Sequence, residues 1–242
     1  MTPISHFAER RAAVAPRPAL VAIAALVWLL AGGASAQAGP ATETVRATFS
    51  EANKIITDPA TADRPHERLA AIRMLFSRIF DFRGASERAL GPQWYARTAA
   101  EQRDFTYLFG DFVQRGFVYW LASVAEVDGN GGGVTVHYLG ESLDRDRAAV
   151  QTTILGRGGR LLRLDHEMVY QGKRWMVRDV TIEGISLIAN YRAQFDRVMR
   201  GSSYRELVAR MRERVASELP RPAAAGPEAL GGDIFRMQIE TR

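Results

Sequence analysis

Cysteine is absent from the 242 residues. That excludes disulfides, thiolate nucleophiles, Cys-ligated zinc, iron–sulfur clusters and the acylated cysteine of a lipoprotein. Lysine is nearly absent too: of 32 basic residues only Lys54 and Lys173 are lysines. The arginines are scattered among 27 acidic residues rather than gathered into runs, so the electrostatic footprint of a nucleic-acid binder is missing and no nucleic-acid partner is expected. Histidine is scarce and dispersed. His66, His137 and His166 have no HExxH or comparable spacing, and no metal is expected. The glycine runs at 129–133 and 156–159 lack the Lys-Ser/Thr that completes a phosphate loop, and Gly184-Ile-Ser186 lacks the second glycine of a nucleophile elbow. The chain therefore has no sign of a cofactor or nucleotide engine, and any energy its work requires must come from a partner.

Only one long uncharged apolar run is present, and it lies at the start. Arg10, Arg11 and Arg17 precede the apolar stretch Ala19–Leu30, and Ala34-Ser35-Ala36 supplies small residues at cleavage-site spacing. Residues 1–36 thus have the organisation of a cleaved secretory signal, with the mature chain starting at Gln37. The other reading is an uncleaved anchor, because Ala19–Ala36 spans 18 residues without a charge. The segment carries three arginines and one glutamate of a chain whose net charge is +5, so the mature protein keeps +3. That charge permits only weak attraction to anionic surfaces.

The remainder divides by periodicity into a helical front, a strand-rich middle, a helical return and a tail. Helical spacing predicts helices over 41–57 and 66–80, and a short one over 84–90 stopped by Gly91-Pro92. Thr98-Ala-Ala-Glu101 is a capping box that opens a long helix with Phe105, Phe109, Phe112 and Trp120 on one flank. After Val127 the period drops to two. Strands are expected through 134–138, 150–154, 162–170 and 175–182, joined by glycine-bearing turns into an antiparallel meander. Ser186 and Ser203 then cap two further helices, and from Pro220 the composition shifts to Pro, Ala and Gly. The expected organisation is a signal peptide (1–36), one α+β domain (37–218) with helices on a curved four-stranded antiparallel sheet, and a flexible tail (219–242).

Residues 91–211 resemble the MlaC-type periplasmic phospholipid-binding proteins, also called toluene-tolerance proteins, of the Mla ABC lipid-transport system. The resemblance is carried by Leu90-Gly-Pro-Gln-Trp94, Thr98-Ala-Ala-Glu-Gln-Arg103, Trp175-Met-Val-Arg-Asp-Val180, and above all Ile182-Glu-Gly-Ile-Ser-Leu-Ile-Ala-Asn-Tyr-Arg-Ala-Gln-Phe195. It fades toward Val45 and stops after Glu218. It implies a fold whose helices and sheet enclose an apolar cavity for phospholipid, a periplasmic location, and no enzymatic activity. The implied partners are an inner-membrane ABC transporter with a lipid-binding ring and an outer-membrane lipoprotein acceptor complex.

Periodicity alone nominates Phe112, Tyr138, Leu164, Met168, Val177, Ile188, Tyr191 and Phe195 as lipid-wall residues, although for any one of them ordinary core packing is the more common role. Asp179 is expected on the strand side of Trp175 and Val177, buried, with Arg192 as its structural partner. In Asp165-His166-Glu167 strand geometry points both acids away from the imidazole, so the triplet is no catalytic cluster. Other readings stay open: an enzyme on an NTF2-like conical scaffold using Asp179 or His166 as a general base, a structural or adaptor protein whose apolar faces are simply closed core, and a carrier of another hydrophobic lipid such as a hopanoid.

Overall fold

A computed structural model describes residues 39–124, 127–128 and 133–216. The signal segment at 1–36, the tail at 219–242 and most of the glycine run at 129–133 lie outside the described residues. Five helices come first: α1 (Pro40–Thr57), α2 (Pro65–Ile79), α3 (Phe82–Leu90), the single turn α4 (Pro92–Tyr95) and α5 (Ala99–Val124). The strands are β1 (Val127–Asp128), β2 (Gly133–Val134), β3 (Val136–Asp144), β4 (Arg147–Leu155), β5 (Leu161–Gln171), β6 (Arg174–Ile182) and β7 (Ile185–Ser186). Helices α6 (Leu187–Gly201) and α7 (Tyr204–Ala216) follow.

The α+β meander forms, with one correction to its size. The main sheet has five antiparallel strands in the order β3-β4-β5-β6-β7, because the chain doubles back at Gly184 and pairs Ile185 and Ser186 with β6 before α6 begins. Strands β1 and β2 form a separate two-stranded ribbon. The turn between β5 and β6 places Gly172 and Lys173 at φ 56° and 65°, which matches the two-residue turn whose twist suits a hairpin.

Local chemistry sets the helix starts. The capping box of α5 closes: the Glu101 amide donates to Thr98 Oγ1 at 3.2 Å, and the Thr98 amide donates to the Glu101 carboxylate at 2.8 Å. At α7 only half of the box forms, since Ser203 Oγ accepts from the Glu206 amide while the Glu206 carboxylate turns to Arg210. Helix α3 begins on a buried carboxylate. Asp81 accepts from the Gly84 amide at 3.0 Å and from Arg178 Nη2 at 2.8 Å, and its own amide donates to the Val177 carbonyl at 2.7 Å. Phe80 bridges to Val177 in parallel, so the α2–α3 corner shields part of the open edge of β6.

The main core is a single apolar cluster joining α5, α6 and α7 to one face of the sheet. A smaller cluster of Ala52, Ile72, Leu75 and Val118 packs α1, α2 and α5 together.

Candidate functional site

Direct cross-strand partners in an antiparallel sheet point to the same face, so the register shows which side chains share a wall. On the inner face, Ala148, Met168 and Val177 form one row, Val150, His166 and Val180 the next, and Thr152, Leu164 and Ile182 a third. Every one of these side chains is buried. Within these three rows only His166 and Thr152 interrupt the apolar surface, and they answer each other, with His166 Nε2 lying 3.1 Å from Thr152 Oγ1. Burial pushes the imidazole down to about 4, so the ring is neutral at pH 7. Asp165 and Glu167 project to the opposite face, where Asp165 meets Arg163 and Glu167 meets Arg88.

Helices α1, α5 and α6 pack into the cluster built on this face. Phe112, Tyr191 and Phe195 interlock between α5 and α6. Phe112 and Tyr191 are 5.5 Å apart between ring centroids, Phe109 and Tyr191 5.4 Å, and Phe109 and Phe195 5.6 Å, all edge-to-face. Ile188 is buried in the first turn of α6. Seven of the eight lipid-wall candidates are therefore buried members of one cluster, three from the sheet and four from the helices. The eighth, Tyr138, is half-buried at the margin and packs against that cluster.

Helix α1 meets the sheet differently. Its buried positions, Ala41, Thr42, Val45 and Ala52, are small, and polar contacts add to its attachment to the sheet. The Thr42 amide donates to Glu141 at 2.6 Å. The Asn53 side chain both donates to the Val134 carbonyl at 2.9 Å and accepts from the Val134 amide at 2.8 Å. Arg46 lies over the Tyr138 ring at 4.1 Å, and Phe49 meets His166 edge-on at 6.1 Å. Glu141 reaches the inner face because a bulge between Tyr138 and Gly140 reverses the alternation of β3, putting Glu141 opposite Val150. Between α1 and β3 runs a groove of about 390 Å³ lined by Arg46, Phe49, Ser50, Asn53, Lys54, Thr57, Val134, Val136 and Tyr138. Periodicity does not reveal it. Arg46, Asn53 and Lys54 fall at i, i+7 and i+8, a helical stripe visible in the sequence, but the strand they face is about 90 residues away in the chain.

The polar pair expected from the sequence does not form. A second bulge, with Arg178 the extra residue of β6 opposite Glu167/Met168, leaves Val177 opposite Met168 but Asp179 opposite Glu167. Asp179 therefore points away from the face that Val177 shares. It is nonetheless buried, because the start of α6 folds over it: its carboxylate accepts from Ser186 Oγ at 2.5 Å and from the Ile188 amide at 3.1 Å, with Arg88 Nη2 at 3.6 Å. Burial raises its pKa, opposed by these donors and by Arg88. Arg192 is about 9 Å further along the helix axis at 1.5 Å per residue, and it pairs with Asp196 at 3.9 Å. Asp179 thus anchors a helix start, and Ser186 relays the contact by accepting from the Ala189 amide at 3.0 Å.

A second concavity of about 360 Å³ lies near Asp179, lined by Gly84, Glu87, Arg88, Arg147, Glu167 and Arg178. Of its three guanidiniums, those of Arg88 and Arg178 are engaged, with Glu167 and Asp81 respectively. Among the described residues, no group of three or more His, Asp or Glu could hold a metal, and no helix is long and apolar enough to cross a membrane.

Comparison with known proteins gives a consistent result. The sequence model of a family described as MlaC protein matches residues 46–213. No curated protein matches the chain. Among solved structures, a phospholipid-binding protein from Ralstonia solanacearum, determined in complex with a phospholipid, superposes with a TM-score of 0.61. It is 24% identical, and the match covers 74% of this chain and 98% of that one, a likeness of fold.

Proposed function

The chain belongs to the MlaC family, and from that premise we propose that it is a periplasmic phospholipid carrier that shuttles lipid between inner- and outer-membrane complexes and catalyses no reaction. The family match over residues 46–213 carries this reading. The signal-like organisation of residues 1–36 supports delivery to the periplasm, with cleavage before Gln37. An inner-membrane ABC transporter with a lipid-binding ring supplies the energy, and an outer-membrane lipoprotein complex is the other terminus.

Carriage is demanded by the chemistry of the cargo. At about 0.8 kcal/mol per buried CH₂, two chains of roughly sixteen carbons represent on the order of 20 kcal/mol of water contact that must be suppressed in transit. The acyl chains lie against Leu164, Met168 and Val177 on the sheet side and against Phe112, Ile188, Tyr191 and Phe195 on the helix side, with Tyr138 at the margin. The helix layer and the sheet part to admit them. The seam is suited to parting at α1, whose fully buried side chains are small and whose larger ones, Phe49 and Ile56, are only partly buried, in contrast to the interlocked buried rings that join α5 to α6. Asp179 and Ser186 hold the start of α6 in place, and Asp179 serves as structure rather than as a base.

A transfer assay tests the proposal. Mature protein mixed with donor vesicles containing a fluorescent phospholipid and with unlabelled acceptor vesicles should speed transfer in proportion to protein concentration. Transfer no faster than in buffer would refute it.

A further inference from the structure

We infer that the groove between α1 and β3 seats the anionic phosphate of the lipid, held between Arg46 and Lys54, while the chains pass inward over Phe49, Val136 and Tyr138. The inference rests on the carrier reading and assigns its cargo a phosphate-bearing headgroup.

Three observations converge on this groove. Its lining contains two cations and no carboxylate. Lys54, one of only two lysines, is exposed and has no acidic partner among the described residues. Arg46 has only a loose contact with Glu43, at 3.4 Å between exposed groups, and its guanidinium rests on the Tyr138 ring, which leaves its N–H edge directed outward from the stack. A phosphate oxygen offers the acceptors that these donors lack.

The apolar floor of the groove also abuts the interior. Phe49, Val136 and Tyr138 line it and at the same time pack against the main core cluster. Phe49 reaches through to the buried His166 ring. One site therefore has a charged rim and an apolar floor leading to the inner face of the sheet, the polarity sequence of a phospholipid read from phosphate to acyl chain. Asn53 fixes the geometry, because its double hydrogen bond to Val134 ties the groove's helical wall to β2. A headgroup seated here stays at the protein surface, where a membrane complex can take it without first dehydrating the charge.

The test separates headgroup recognition from carriage. Delipidated mature protein is incubated with phosphatidylglycerol vesicles that contain trace fluorescent phosphatidylglycerol and, in a parallel set, trace diacylglycerol with the same chains. The ratio of the two labels carried per protein is the readout, since general attraction to the vesicle affects both equally. Lys54→Glu should lower the phosphatidylglycerol-to-diacylglycerol ratio by about tenfold, the size of one charge-assisted contact. Arg46→Gln should lower it in the same direction. Lys54 makes no packing contact that the fold needs, so the first variant remains informative if Arg46→Gln folds poorly. Lys173→Glu, in the hairpin turn, should leave the ratio unchanged. A wild-type protein that takes up both lipids with a ratio unmoved by either substitution overturns the phosphate seat and leaves the carrier intact; one that takes up neither lipid overturns both. Calorimetric titration of delipidated protein with inorganic phosphate alone should show no Lys54-dependent heat. Such heat would make free phosphate the ligand and overturn the headgroup assignment.

Discussion

Asp179 offers the sharpest quantitative prediction, because its role is fixed by three contacts and separates cleanly into charge and hydrogen bonding. Replacement by alanine leaves the Ser186 hydroxyl and the Ile188 amide without their buried acceptor. Each orphaned group costs about 1–3 kcal/mol, so Asp179→Ala should lose about 3 kcal/mol. Arg88 contributes little to that sum, since it keeps Glu167 at 2.8 Å. Asparagine retains one acceptor oxygen and removes a charge that burial disfavours, so Asp179→Asn should lie within about 1 kcal/mol of wild type at pH 7. In urea denaturation with a slope of about 2 kcal/mol per molar, the alanine variant should move the midpoint down by roughly 1.5 M and the asparagine variant by less than about 0.5 M. The pH dependence has a definite sign. A carboxyl whose pKa is raised on folding contributes stability that is fully present below its unfolded pKa and is lost as pH rises through the folded one. Asp179→Asn should therefore gain on wild type as pH climbs out of the acid range. If asparagine proves as damaging as alanine, the charge itself is indispensable and this reasoning is wrong.

His166 is predicted to act in the opposite sense. Its folded pKa is depressed from 6.5 to about 4, so its neutral form contributes stability that is complete above pH 6.5 and lost as pH falls toward 4, on the order of 3 kcal/mol. His166→Gln should flatten that part of the stability–pH curve, and an imidazole that titrates near 6.5 by NMR would contradict the burial argument. Gly84→Ala pits two effects against each other: helix propensity favours alanine by about 1 kcal/mol, but the added methyl would lie 2.3 Å from Asp81 Oδ2 and 2.8 Å from Arg178 Nε. Overpacking should win, with a net loss of about 1–2 kcal/mol in thermal denaturation. Phe195→Ala opens a void in the α5–α6 interlock and should cost about 3–5 kcal/mol, whereas Leu143→Ser, at an exposed position, should change the urea midpoint negligibly. Asn53→Ala should speed amide hydrogen exchange in α1 while leaving α5 protected, because it removes a polar tie between α1 and β2 and no contact of the apolar core.

What the sequence revealed and what it concealed divide along a physical line. Features set by neighbours a few residues away were legible: the Thr98–Glu101 box, the helical stripes, the strand alternation of 162–170 and the cap at Ser186. The inner-face residues of β5 emerged for the same reason, since alternation needs only the strand itself. Asp179 was misplaced because a bulge depends on the partner strand. One extra residue opposite Glu167/Met168 reverses every side chain beyond it. The bulge in β3 brought Glu141 inward by the same mechanism. β7 is too short for any period, and nothing local marks Asp81, whose carboxylate accepts from Arg178 and the Gly84 amide only once the chain is folded. The α1–β3 groove needed two segments far apart in the chain to meet, and no local pattern encodes their meeting. The family resemblance over residues 91–211 bridged that gap for the fold as a whole, and the matched segment, residues 46–213, begins within α1.

The central claim is that this protein holds phospholipid away from water, and lipid content tests it most directly. Mature protein exported to the periplasm, purified without detergent and extracted for mass spectrometry should yield about one phospholipid per chain. A preparation that is folded, gently handled and free of extractable lipid would contradict the account, and one carrying a stoichiometric hopanoid would keep the carrier but replace its cargo.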